Sequence, residues 1–156
     1  GVHLQHEELA RIRDRGAAVV HCPTANYFLH SGVLPREALL AHGVRMGLGS
    51  DVGAGMRYSL WEVMRDAYFV RREPPASLLY DATYGGARAL GLEDRFGLLD
   101  VGHHADFVVL RPLAGEPPEE QLRHWMFVER EQAVQAVYVQ GRCVASCDAY
   151  CRPWIA

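Results

Sequence analysis

The stretch Gly43–Gly55, GVRMGLGSDVGAG, decides how the chain is read. Its first half, VRMGLG, predicts a buried strand that Asp51 closes, and Gly53, Ala54 and Gly55 keep everything after the carboxylate small. Working upstream, AAVVHC (17–22) is an apolar run too brief for a helix and bounded by glycine and proline, which predicts a strand buried on both faces. Between the two runs, PTANYFLHSGV (23–33) reads as a loop, and Pro35 opens a helix REALLAH that Gly43 ends. His21 and Asp51 are 30 positions apart, about what a strand, helix, strand crossover occupies, so the two strands are expected to be parallel neighbours.

The flanks extend the same pattern. GVHLQHEELARIRDRG (1–16) predicts a helix with Glu7 and Glu8 in its first turn, Leu9 and Ile12 as apolar anchors and Gly16 as its stop. Entry into a helix at once, with no initiator methionine, reads as a fragment or a processed piece. Downstream, Ser59 and Glu62 have the spacing of a capping box, and Leu60, Met64, Ala67 and Tyr68 recur at helical spacing. Pro74 and Pro75 start a further helix through ASLLYDATYGGARALGL (76–92). Its Gly85 and Gly86 each cost roughly 1 kcal/mol against alanine, which predicts either a break or a close helix contact there. From about Arg95 the runs FGLLDVGHHADFVVLRP and AVQAVYVQGRCVA turn β-rich, with Val137, Val139 and Val144 as core candidates. The expected class is therefore α/β over residues 1–94, followed over 95–156 by part of a small β domain.

Composition narrows the function classes. The chain has 156 residues, 49% of them hydrophobic and 22% charged, as in an ordinary globular protein. Its net charge of −3 is spread without long runs of one sign, so neither nucleic acid nor a membrane surface is an expected partner. No apolar run approaches the roughly 20 residues of a bilayer span, and the expected location is cytoplasmic. Four cysteines are present. Cys143, Cys147 and Cys151 repeat every four residues and on a helix would share one face as a metal site. Absence of C-x-x-C pairs weighs against that reading.

In a parallel α/β barrel the chemistry is built at the C-terminal ends of strands, where both His21 and Asp51 fall. A carboxylate there can hold a metal and exchange a proton with metal-bound water. On spacing alone, an aspartate that merely caps a turn remains the alternative.

Four motifs in one order bear on the choice. HCPTANYFL (21–29), GLGSDVGAG (47–55), ATYGGARALGL (82–92) and GLLDVGHHADFVVL (97–110) together resemble the C-terminal part of the amidohydrolase superfamily, and within it the branch of guanine deaminases and related aminohydrolases. GVHLQHEEL (1–9) is similar to the segment after that family's sixth barrel strand. The resemblance implies the last strands and helices of a metal-dependent (β/α)8 TIM barrel, followed by part of a small β-sandwich domain. It also implies one zinc ion, whose hydroxide attacks the purine carbon bearing the exocyclic amine. Asp51 matches the aspartate that ligates the metal and shuttles the proton. His21, Thr24 and Asn26 match loop-shaping groups around the site, with a structural role for His21 equally open, and Gly53, Ala54 and Gly55 match the substrate loop. Ala25 and Ser50 depart from the family's usual serine and threonine, which weakens assignment to one substrate.

Other ligands that the resemblance calls for do not occur in this sequence. An H-x-H pair, an H-x-x-E and a sixth-strand histidine, expected directly before Gly1, have no counterpart. One aspartate does not supply the three protein ligands of a catalytic zinc, so the chain alone is expected to be inactive. His3 and His6 flank a helix start without making H-E-x-x-H, and His103 and His104 read as surface residues. The expected function is a fragment of a zinc-dependent aminohydrolase converting a purine, guanine first, with a homodimer for the full-length protein. The alternatives are an adenosine-type or triazine aminohydrolase, or a truncated, non-catalytic structural module.

Overall fold

Strands β1 (Ala18–His21) and β2 (Arg45–Leu48) run parallel, with Ala18 opposite Arg45 and His21 opposite Leu48, in the computed structural model, which describes residues 1–147. The crossover between them is helical twice. Helix α2 (Pro23–Phe28) occupies what reads in sequence as a loop, because Pro23 stands at its first turn, where the missing N–H costs nothing. Helix α3 (Arg36–Ala41) follows Pro35 and ends before Gly43, which takes φ 71°. Ahead of the sheet, α1 (His6–Asp14) begins where the Glu8 carboxylate accepts from the Gln5 N–H at 2.8 Å, and it ends at Gly16 with φ 63°.

Burial is unequal across the pair. Met46, Gly47 and Leu48 are buried, as expected for β2. The two-face burial expected for β1 is not observed, since Val20 is 52% exposed. β1 is hydrogen-bonded to β2 along one edge, and among the described residues the parallel sheet has two strands and no closed barrel. Helices α5 (Pro75–Ala82) and α6 (Tyr84–Leu90) pack on β2. Of the two alternatives stated for the glycine pair, the close contact occurs at the glycines themselves, and the break falls just ahead of them. The helix breaks at Thr83, with φ −118° and ψ −95°, and α6 then lies directly on the strand backbone. A Cβ on Gly47 would stand 2.9 Å from Gly86 Cα, and one on Gly85 would stand 3.0 Å from the Met46 carbonyl oxygen.

Helix α4 (Leu60–Arg71) starts at Ser59, whose side chain accepts from the Glu62 N–H at 3.5 Å. The reciprocal half of the capping box is replaced. The Glu62 carboxylate is drawn away by the guanidinium groups of Arg130 at 3.1 Å and Arg57 at 3.2 Å, because a charged donor outcompetes a backbone amide. Val63, Met64 and Ala67 are its buried positions, and Leu60 is partly exposed.

Two apolar clusters result. One joins Leu9, Leu34, Leu39, Val44 and Met46. The other joins Leu48, Val63, Met64, Ala67, Leu78 and Met126. Met126 belongs to a π-helical turn, Trp125–Glu129, that continues helix α7 (Pro118–His124), so this late segment packs on α4 and α5.

A second sheet holds β3 (Phe107–Leu110), β4 (Val134–Val139) and β5 (Arg142–Ser146), antiparallel in that order. Phe107 and Tyr138 stack across it with ring centroids 4.5 Å apart. Among the described residues it is a single sheet and not a sandwich, so Val139 and Val144, expected in the core, lie exposed, and only Val137 is half-buried. The helical cysteine face is not formed either. Cys143 lies in β5, Cys147 just beyond it, and Cys151 outside the described residues. No helix among the described residues is long and apolar enough to cross a membrane.

Candidate functional site

Parallel pairing with aligned ends puts His21, the last residue of β1, beside the segment leading out of β2 to Asp51. Asp51 adopts φ 47°, a left-handed conformation that aspartate tolerates better than most residues. Its carbonyl oxygen accepts from the N–H groups of Ala54 at 3.1 Å and Gly55 at 2.5 Å, while the Gly53 N–H donates to the Gly55 carbonyl at 3.0 Å. The loop is thus wound back on itself, and its small residues divide the work. A Cβ on Gly55 would fall 1.9 Å from the Ser50 carbonyl oxygen, so glycine there serves the turn itself. Gly53, with φ 119°, faces open space.

The Asp51 side chain is exposed, and it has no hydrogen-bond or ion-pair partner among the described residues. Its charge is felt across the strand ends. Burial pushes the Cys22 thiol pKa up, and the nearby Asp51 carboxylate raises it further. Among the described residues no three His, Cys, Asp or Glu side chains converge to hold a metal ion. Asp51 is one oxygen donor where catalytic zinc takes three protein ligands, so these residues by themselves do not make a zinc site.

His21 is 4% exposed, and no hydrogen bond to its ring is found among the described residues. Burial, then the positive charges of Arg36 and Arg71, lower its pKa to about 4, which keeps it neutral at pH 7. It lines a small cavity of about 40 Å3 together with Asn26. The sign of its pH effect follows. Above about pH 6.5 the imidazole is neutral in both folded and unfolded chains and adds nothing. As pH falls from 6.5 to about 4, the unfolded chain takes up a proton that the folded chain refuses, so stability declines across that window. The full loss is on the order of 3 kcal/mol. Urea denaturation of wild type and His21→Leu at pH 7 and pH 4.5 checks this: the variant is expected to lose less stability on acidification. Equal losses would remove His21 as the cause.

Thr24 does not reach Asp51. Its hydroxyl donates to the Asp66 carboxylate at 2.7 Å and ties α2 to α4. It shares a cavity of about 320 Å3 with Arg57, Glu62, Arg65, Asp66 and Arg130, charged groups of which the sequence reading singled out only Glu62, and that as a helix cap. Glu62, Arg65 and Asp66 follow the i, i+3, i+4 spacing of one helix face, which was the available signal. A second omission is deeper. Arg36 of α3 donates from Nε and Nη2 to Asp81 Oδ2 at 3.1 and 2.8 Å and from Nη1 to Glu73 at 3.2 Å, and Arg36 and Asp81 are both buried. The surface reading of His103 and His104 is corrected. Both are half-buried: His104 stacks on Phe96 with centroids 4.7 Å apart and accepts from Arg95, and His103 Nε2 bonds the Glu93 carbonyl at 3.0 Å.

Comparison with known proteins places this arrangement. The profile of the amidohydrolase family matches residues 1–144. Guanine deaminase of Escherichia coli is 32% identical over 160 residues, covering 92% of this chain and 36% of that protein. A probable guanine deaminase of Deinococcus radiodurans is 37% identical over 166 residues, covering 95% of this chain and 38% of the relative. The solved E. coli guanine deaminase superposes with a TM-score of 0.86 at 30% identity, over 93% of this chain and 38% of its own. An adenosine deaminase from Xanthomonas campestris with bound zinc gives 0.77 at 31% identity, over 91% of this chain and 35% of its own. The chain thus spans little more than a third of the length of these relatives. With a family profile matched along nearly its whole length and a parallel β1–β2 crossover that leads out to Asp51, this chain belongs to the amidohydrolase family.

Proposed function

We propose that the chain is the C-terminal part of a hydrolytic purine aminohydrolase whose favoured substrate is guanine: guanine and water give xanthine and ammonia. The observation that carries the reading is the parallel pair whose second strand leads, three residues past its end at Leu48, to Asp51, in a chain that superposes on E. coli guanine deaminase with a TM-score of 0.86. In this reading residues 1–94 belong to a (β/α)8 barrel and 95–156 to the smaller β domain. The whole protein takes a divalent metal, zinc, with Asp51 contributing one carboxylate and the other ligands coming from outside this sequence. Asp51 is also the group that accepts a proton from the attacking water and returns it to the departing amine. Its carboxylate, just beyond a strand end, is exposed and unpaired among the described residues, which leaves it free for both contacts. His21, Thr24 and Asn26 hold the neighbouring strand end and α2 in place, and Gly53 leaves room for the purine.

A second reading, deamination of an adenosine-type purine, is favoured by the likeness to the Xanthomonas enzyme. Ammonia release by the full-length gene product, supplied in turn with guanine and adenosine, separates the two. Turnover of guanine with little of adenosine is expected. The reverse preference would replace the first reading with the second, and no release from either purine would sink both.

A further inference from the structure

We propose that His6 and His42 form a binding site for a divalent first-row transition-metal cation, for which Zn2+ is the probe. His6 opens α1 and His42 stands directly after α3, 36 positions later, and the fold brings their rings to a centroid separation of 5.1 Å, tilted by 39°. His6 Nδ1 and His42 Nε2 face one another at 3.4 Å. That spacing is long for a hydrogen bond between nitrogens, which centres near 3 Å. It matches the edge of a coordination tetrahedron: two Zn–N bonds of about 2.0–2.1 Å at the tetrahedral angle put the nitrogens about 3.4 Å apart.

The tautomer is set as a ligand requires. His42 Nδ1 lies 2.8 Å from the Ala38 carbonyl oxygen, an acceptor only, so this nitrogen carries the proton and Nε2 presents its lone pair towards His6. A metal-bound histidine whose other nitrogen donates to a backbone carbonyl is the usual outer support of such ligands. His6 has no other hydrogen-bond partner among the described residues, so its proton is free to sit on Nε2 and leave Nδ1 as the second donor. His6 is exposed and His42 half-buried, which leaves room for water to complete the coordination. Imidazole pairs suit zinc, copper and nickel, not magnesium or calcium. The cation bridges α1 to the end of α3 and so tightens two helices that precede the two strands.

The experiment is calorimetric titration of ZnCl2 into the 156-residue chain, its His6→Gln and His42→Gln variants, and Asp51→Asn. One zinc per wild-type chain is expected, with affinity at least tenfold weaker in each histidine variant and unchanged in D51N. Zinc is also expected to raise the melting temperature of the wild type but not of H6Q. His6 is exposed, so H6Q keeps the fold, and its apo melting temperature serves as the control. No zinc uptake by the wild type, or equal uptake by the wild type and both histidine variants, would overturn the site. Loss of uptake in D51N alone would assign the metal to Asp51 and overturn it equally.

Discussion

Replacing Arg36 with alanine is expected to lower stability at pH 7 by about 3–5 kcal/mol, the cost of leaving one member of a buried ion pair without its partner. Arg36 is 8% and Asp81 2% exposed, and three guanidinium hydrogen bonds join α3 to Asp81 in α5 and to Glu73. Burial already outweighs the arginine: the Asp81 carboxyl pKa is raised by desolvation despite the hydrogen bond and charge of Arg36 that pull it down. Without Arg36 the carboxyl pKa rises further. A raised carboxyl contributes stability below its unfolded value that is lost as pH climbs through the folded one, so the damage is greater at pH 7 than at pH 4. Guanidinium denaturation of R36A at both values checks the magnitude and the sign. The double variant Arg36→Leu with Asp81→Leu is expected to recover most of the loss, because it removes both charges from the interior. If R36A lost less than about 1 kcal/mol at pH 7, the pair would be no stronger than an exposed one.

The second large effect falls on activity. In the full-length protein, Asp51→Asn is expected to cut ammonia release from guanine about 10²- to 10⁴-fold, the range for losing a group that moves a proton. That loss corresponds to about 3–5 kcal/mol of barrier. Stability is expected to change by less than about 0.5 kcal/mol, since asparagine also accepts the left-handed backbone of φ 47° and the carboxylate has no partner to lose among the described residues. Full activity in D51N with the loop intact would end the catalytic assignment. A large fall in stability would instead make Asp51 a residue of the turn, the alternative that spacing alone had left open.

The strand periodicity and its punctuation were legible without coordinates. VRMGLG and AAVVHC are apolar runs bounded by glycine and proline, and they became neighbouring parallel strands, because the crossover length admits little else. Gly16 and Gly43 marked helix ends, since few other residues take their positive φ cheaply. Where the reading failed, a long-range partner had won over a local rule. Glu62 left its capping box for Arg130, 68 positions away. Val139 and Val144 carry a core-like pattern, but burial of a strand face depends on what is packed over it.

The candidate site divides along the same line. That a carboxylate follows the second strand among small residues is a property of residues 43–55 themselves, as is the resemblance it supports. Which glycine serves the turn and which leaves open space, why His21 is neutral, and which charges act on it were set only when the chain folded, burying the imidazole and bringing Arg36 and Arg71 near it. Local geometry is written in neighbouring residues, because backbone dihedrals and short-range sterics act within a few positions. Electrostatics and burial are not, because they depend on distances that exist only after the chain has folded.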